Sequence, residues 1–142
     1  MKKPATARVQ CAALPFRVSD GSAVEVMLVT SRETKSWIIP KGWAKKRANL
    51  WQSAAREALE EAGVTGVVGT EPIGSFSYDK RLRNGQTVSC EVQVFPLQVK
   101  RSRKKWPEKG QREISWFSPD AAAEAVREPL LGSLIRTYFS KR

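Results

Sequence analysis

Residues 56–63 read Arg56-Glu57-Ala58-Leu59-Glu60-Glu61-Ala62-Gly63. Upstream, Trp51, Ala54, Ala55, Ala58, Leu59 and Ala62 recur at intervals of three and four, so the spacing predicts a helix from about Leu50 to Ala62. Gly63 falls where a helix takes up its left-handed closing residue. Residues three and four apart share a helix face, so Glu57, Glu60 and Glu61 are expected to point the same general way. Carboxylates held that close repel one another, and packing beside alanines and Leu59 lowers the local dielectric and raises the cost. A hard divalent cation removes that cost, and Mg²⁺ takes oxygen ligands while keeping room for water and phosphate. Arg56 and Glu60 are four apart and so placed to pair. Taken alone, the run favours an ordinary amphipathic helix with a solvated glutamate face, since such runs are common on surface helices.

Working outward, Trp37-Ile38-Ile39 reads as a short strand stopped by Pro40, and Lys41-Gly42-Trp43 opens an irregular basic loop that ends near Asn49. Before it, Ala7–Phe16 and Val24–Val29 read as two strands around the turn cluster Ser19-Asp20-Gly21-Ser22, a hairpin. After the helix, 64–68 and 73–78 look extended, and Asn84-Gly85 signals a hairpin turn. Val88, Cys90, Val92 and Val94 then alternate with polar residues, as a half-buried strand does. Lys100–Lys105 is a basic run in a loop, and Ile114–Phe117 is a short strand. Ser118 caps a helix to about Val126 with Pro119 in its first position, and a last helix runs from Pro129 to Tyr138. Strands, one helix, more strands and terminal helices make an α+β fold: a mixed sheet with helices on its faces.

The bulk numbers bound the rest. A chain of 142 residues with 41% hydrophobic and 27% charged residues is the size and composition of one folded domain, 1–142. It contains no histidine, which excludes Ser-His-Asp and Cys-His catalysis and histidine-ligated zinc. Cys11 and Cys90 are isolated and form no C-x-x-C pair, so they read as small core residues in a reducing compartment. No apolar run is long enough to span a membrane, and MKKPATARVQ lacks the apolar stretch of a secretory signal, so a cytoplasmic location is expected. The net charge of +11 suits a polyanionic partner, although a generally basic surface of solvated charges gives the same number.

The helix and its flanks resemble the Nudix hydrolase signature: a glycine, five residues, a glutamate, seven residues, then R-E-U-x-E-E-x-G-U with U apolar. Gly42, Arg56, Glu57, Glu60, Glu61, Gly63 and Val64 match at the required spacing. Ala58 is smaller than the usual apolar residue, and Ala48 replaces the first glutamate. Leu28-Val29-Thr30-Ser31-Arg32 followed by Trp37 to Gly42 is similar to the diphosphoinositol polyphosphate phosphohydrolase branch. So are Arg112-Glu113 ahead of Trp116-Phe117 and the Ser118-Pro119-Asp120 helix start, whereas Lys41-Gly42-Trp43 stands where that branch has a run of glycines.

The resemblance implies a Nudix α/β/α sandwich and hydrolysis of a pyrophosphate linkage in a diphosphoinositol or dinucleoside polyphosphate. It implies Mg²⁺, or Mn²⁺, held by Glu57, Glu60, Glu61 and the Gly42 carbonyl, with Arg56 beside them. A further carboxylate from a later loop is expected to assist as base, with Glu108 and Glu113 the candidates and Glu60 able to serve instead. Arg32, Lys41, Arg81 and Arg83 are the expected phosphate contacts, with Lys45, Lys46, Arg47, Lys80 and the 100–105 run nearby. Trp37 and Trp116 read as core, while Trp43 and Trp106 fall in basic loops where they either pack or stack on a base. The 5′ end of an RNA is the second choice of substrate, and a binding module that has lost catalysis is the reading Ala48 favours. A monomer or homodimer is expected.

Overall fold

The computed structural model describes residues 8–45 and 49–140. Eight strands and three helices follow one another: β1 (Arg8–Val18), β2 (Val24–Thr30), β3 (Trp37–Ile38), β4 (Lys41–Trp43), α1 (Leu50–Ala62), β5 (Val64–Val68), β6 (Gly74–Arg81), β7 (Thr87–Ser102), β8 (Ile114–Phe117), α2 (Pro119–Ala125) and α3 (Pro129–Ser140). The hairpin of β1 and β2 forms as expected, antiparallel with Phe16 opposite Val26.

One mixed sheet holds all eight strands. Its centre is the parallel pair of β1 and β7, Arg8 opposite Cys90 through Phe16 opposite Gln98. On its other side β1 pairs antiparallel with β4 near its start and with β2 near its end. A central parallel strand is covered on both faces, which is why Cys11-Ala12-Ala13-Leu14-Pro15-Phe16 is apolar without alternation. Successive side chains still point to opposite faces. Ala12, Leu14 and Phe16 join Ala122, Leu131 and Ile135 under α2 and α3, while Cys11 and Ala13 join Ala54, Ala58 and Ala62 under α1. The fold is therefore the expected α+β sandwich, with helices on both faces of a mixed sheet.

The starts of α1 and α2 are set locally. Gln52 Oε1 accepts the Asn49 backbone N–H at 3.2 Å, and Ser118 Oγ accepts the Ala121 N–H at 3.2 Å ahead of Pro119. A cap of that kind contributes about 1 kcal/mol. Gly63 ends α1 at φ 70°, its N–H donating to the Leu59 carbonyl at 3.0 Å.

Several boundaries differ from the expectation. Lys41–Trp43 is a strand, because it finds a distant partner in Gln10–Ala12. The 37–39 strand is two residues long, and Ile39 beyond it is buried in the core. Strand β6 extends to Arg81 and β7 to Ser102, so Lys100 and Arg101 stand on a strand that β5 pairs with. The 82–86 turn around Gly85 is wider than a two-residue loop and closes through Leu82 N–H to the Gln86 carbonyl at 2.7 Å. Trp37 and Trp116 are half-buried against the two cores, Trp37 edge-on to Phe117 at 5.0 Å and Trp116 beneath the Arg17 guanidinium at 3.9 Å. No helix among the described residues is long and apolar enough to cross a membrane.

Candidate active site

Helix α1 presents small residues to the sheet, with Ser53, Ala54, Ala58 and Ala62 buried. Ala58, smaller than the signature's usual residue, is fully buried, so the helix seats closely on β1. That proximity carries Glu57 and Glu61 inward as well; they are 8% and 4% exposed. Glu60 does not join them. At about 100° per residue, Glu61 lies about 40° around the helix from Glu57, whereas Glu60 lies about 60° the other way. Glu60 is half-buried outside the cleft lining, and its backbone carbonyl accepts the Glu108 N–H at 3.0 Å. Arg56 is exposed and pairs with no carboxylate among the described residues, so the expected Arg56–Glu60 pair is absent. Of the three glutamates that share this side of the helix, Glu57 and Glu61 line the cleft and Glu60 stands next to them outside the lining.

Strand β4 closes the other side of the pair. A Cβ on Gly42 would lie 2.4 Å from Glu57 Cδ, so only glycine leaves room for that carboxyl. Arg112 approaches from the segment before β8. Its Nη2 is 3.8 Å from Glu61 Oε1, its Nε donates to Glu108 Oε1 at 3.0 Å, and its Nη1 donates to the Thr30 carbonyl at 3.1 Å. Burial pushes the Glu61 carboxyl up to about 8; Arg112 opposes that rise and the neighbouring Glu57 adds to it. Glu57 is raised too, chiefly by burial, with a hydrogen bond to Glu61 opposing. Two buried carboxyls within hydrogen-bonding reach thus compete to hold a proton.

This pair fits a hard divalent cation. Glu61 Oε1 is buried and has no hydrogen-bond partner. Mg²⁺ is usually held by one or two carboxylates, with water and substrate phosphates completing its shell. Among the described residues no group of three or more acidic or cysteine side chains is clustered to hold a metal; Glu57 and Glu61 line the cleft, and Glu60, outside that lining, is still close enough to raise the Glu57 carboxyl.

Around the pair lies a cleft of about 330 Å³. Of the expected phosphate contacts, Arg32 and Lys41 line it. Arg32 Nη1 donates to Gln111 Oε1 at 3.0 Å. Lys41 Nζ sits 5.2 Å over the Tyr78 ring, and burial lowers the pKa of its ammonium while Glu61 opposes. Arg81 lines an adjoining cavity, and Arg83 is exposed in the 82–86 turn and reaches neither. Glu108 lines the cleft. Glu113 does not: it is exposed, and its backbone is tied to Thr30, N–H to Oγ1 at 2.9 Å and carbonyl to N–H at 3.0 Å. Trp43 stands half-exposed at the rim, with Arg8 5.9 Å from its ring. Trp106 packs on Gly63 at the end of α1, away from the cleft, where a glycine Cβ would meet the indole at 2.4 Å. Lys45 and Lys100–Lys105 are exposed outside the cleft; Lys46, Arg47 and Ala48 lie outside the described residues.

The cleft also contains Arg112, Tyr78 and Gln10, which spacing did not single out, and Lys80, which was expected only near the phosphate contacts. Tyr78 donates its hydroxyl to Gln10 Oε1 at 2.7 Å, and Gln10 is buried. A signal existed for Tyr78, since strand alternation from Phe76 places it on one face with Lys80. Arg112 sits in no periodic pattern.

The chain matches the NUDIX domain family over residues 8–138. Among curated proteins it is 32% identical to Nudix hydrolase 4 of Arabidopsis thaliana over 117 residues, 82% of this chain and 55% of that one. It is 25% identical to the mitochondrial Nudix hydrolase 16 of the same plant over 146 residues, 94% of this chain and 81% of that one. It spans 60% of the mitochondrial Nudix hydrolase 13. Among solved structures, a NUDIX hydrolase from Nitrosomonas europaea superposes with a TM-score of 0.72 at 22% identity, covering 96% of this chain and 90% of that one. A C. elegans Ap4A hydrolase binary complex gives 0.68 at 20% identity, covering 94% and 96%.

Proposed function

The chain belongs to the Nudix hydrolase family, a family of enzymes, and from that premise we propose that it cleaves a pyrophosphate linkage in a polyphosphorylated substrate with the help of a divalent cation. The observation that carries this reading is the buried Glu57–Glu61 pair, with its partnerless Glu61 oxygen, at the base of a cleft walled by Arg32, Lys41, Lys80 and Arg112.

Glu57, Glu61 and the Gly42 carbonyl would hold Mg²⁺ or Mn²⁺. Such an ion neutralises phosphate oxygens and makes water a better nucleophile at neutral pH. The chain's own groups do the rest. Arg112 fixes Glu61 and Glu108 with one guanidinium. Glu108 faces the cleft and takes the proton of the attacking water, whose oxygen bonds to phosphorus as the bond to the leaving phosphate breaks. Arg32 and Lys41 hold the flanking phosphates, and Lys41, drawn out of water over Tyr78, offsets charge on the leaving group.

Diphosphoinositol and dinucleoside polyphosphates both present this linkage between charged neighbours. We place the enzyme in the cytoplasm as a single domain over 1–142; the free, buried Cys11 and Cys90 suit a reducing compartment.

The test is a Mg²⁺ assay panel of inositol pyrophosphates, dinucleoside polyphosphates, nucleoside triphosphates and 5′-triphosphorylated RNA, with Glu61→Gln as control. Turnover of one or more small polyphosphates that is lost in the variant supports the reading. Turnover confined to RNA transfers the activity to the RNA 5′ end, and no turnover at all leaves a binding module.

A further inference from the structure

Strand β5 lies at one end of the sheet, paired with β7 on one side and with no strand on the other among the described residues. Its sequence, Val64-Thr65-Gly66-Val67-Val68, holds neither a charge nor a proline, the usual guards of an open edge. One face of the strand packs under α1 through Val64 and Val68. The other face carries Val67, which is 62% exposed. The neighbouring chain is strongly basic. Lys100, Arg101, Arg103, Lys104 and Lys105 are interrupted only by Ser102, and all five are exposed. None of them enters a salt bridge among the described residues. They gather at one end of β5, where Val64 stands opposite Ser102 and Thr65 opposite Arg101. The ladder shifts register between Thr65 and Gly66, so the regular part of the edge is 66–68.

We propose that this edge docks an extended acidic segment of a partner protein, added to the sheet as a further strand. The backbone of the segment pairs with 66–68, an apolar side chain lies beside Val67, and its carboxylates meet the cations beyond the register shift. Main-chain hydrogen bonds supply affinity, and the charges select the partner. Two other occupants fit less well. A second copy of this chain carries the same net charge of +11, and its own β5 brings no carboxylate to the basic run. A single-stranded nucleic acid is drawn by the cations but binds through aromatic faces on which its bases stack. Trp106, the aromatic residue next to the run, packs on Gly63 instead, with Lys109 Nζ 5.3 Å over its ring.

The experiment is fluorescence anisotropy of the full chain with a labelled synthetic peptide, one half alternating valine and threonine and the other half glutamate, made in both chain directions. One direction is expected to bind and to slow amide hydrogen exchange within 64–68. Replacing its uncharged half by proline keeps the charge and removes the backbone donors, and is expected to weaken binding about tenfold or more. The triple variant Arg103→Ser, Lys104→Ser, Lys105→Ser alters exposed side chains and is expected to weaken the original peptide about tenfold. The proline peptide and the exchange pattern decide the matter on the unmodified chain if that variant fails to fold. The proposal is overturned if neither direction binds, if the proline peptide binds equally well, if exchange within 64–68 is unaffected, or if the folded triple variant binds as the unmodified chain does. An adenylate oligonucleotide that binds more tightly than the peptide and is lost in the triple variant would give the surface to nucleic acid and overturn it too. So would self-association of the chain in sedimentation that Val67→Lys abolishes, which would give the edge to a second copy.

Discussion

Glu61 and Arg112 face each other at 3.8 Å with side chains only 5% and 8% exposed, near enough to attract and too far apart to hydrogen-bond. The guanidinium therefore opposes the burial that raises the Glu61 carboxyl, while leaving one of its oxygens free. A closer bond would satisfy that oxygen and remove it from metal binding.

Arg112→Met should destabilise the protein by about 1–3 kcal/mol near neutral pH, because the Glu108 carboxylate and the Thr30 carbonyl lose their donor, and by more once Glu61 ionises. Arg112→Lys should recover part of that loss, since it keeps the charge but not the fork that reaches Glu61, Glu108 and Thr30 together. Urea denaturation of the three proteins checks this. Equal midpoints would mean that Arg112 is not integral to the site.

The glutamates should separate by position on α1. Glu57→Gln and Glu61→Gln should each lower turnover about a hundredfold or more. Glu60→Gln should stay within about threefold of the unmodified enzyme, because its side chain lies outside the cleft lining. Steady-state kinetics on a substrate found in the panel distinguishes the three. A Glu60→Gln defect as deep as the others would restore the three-carboxylate cage.

Metal-free protein should be less stable at high pH than at low pH. The Glu61 carboxyl rises from 4.5 to about 8 on folding, so the folded state keeps a proton that the unfolded chain releases. The stability tied to that proton is complete below 4.5 and is lost as pH climbs through about 8. Mg²⁺ binds the ionised pair, so its stabilising effect should grow over the same interval. Melting temperatures in EDTA and in Mg²⁺ at about pH 5, 7 and 9 measure both trends. A Mg²⁺ increment that shrinks as pH rises would contradict them.

Gly63→Ala should cost about 1–3 kcal/mol, because its φ of 70° disfavours a side chain and an added methyl meets the Trp106 indole. The same contact anchors the loop that carries Glu108, whose N–H bonds the Glu60 carbonyl. Turnover should therefore fall along with stability, and tryptophan fluorescence should report the displaced indole. Unchanged fluorescence and rate would show that Trp106 does not anchor that loop.

What the sequence made legible was local. The three-and-four spacing from Trp51 to Ala62 and the closing Gly63 mark out α1, and the mostly apolar stretch ending at Phe16 marks β1 as a strand. The rest depends on distant partners. Lys41–Trp43 carries no strand pattern and becomes one because Gln10–Ala12 runs beside it. Glu60 and Glu61 look equivalent under a rule that treats offsets of three and four alike; the direction in which α1 seats on the sheet separates them. Arg112 and Arg83 are both arginines in irregular stretches. Only the folded chain shows that one is enclosed between two carboxylates while the other hangs from an exposed turn.

Mn²⁺ titration followed by electron paramagnetic resonance tests the central claim most directly, because it reads the ion at the Glu57–Glu61 pair without a substrate. The unmodified protein and Glu60→Gln should bind Mn²⁺ with similar affinity, while Glu61→Gln should weaken binding about tenfold to a hundredfold. Binding by Glu61→Gln equal to that of the unmodified protein would place the ion elsewhere and contradict the proposed site.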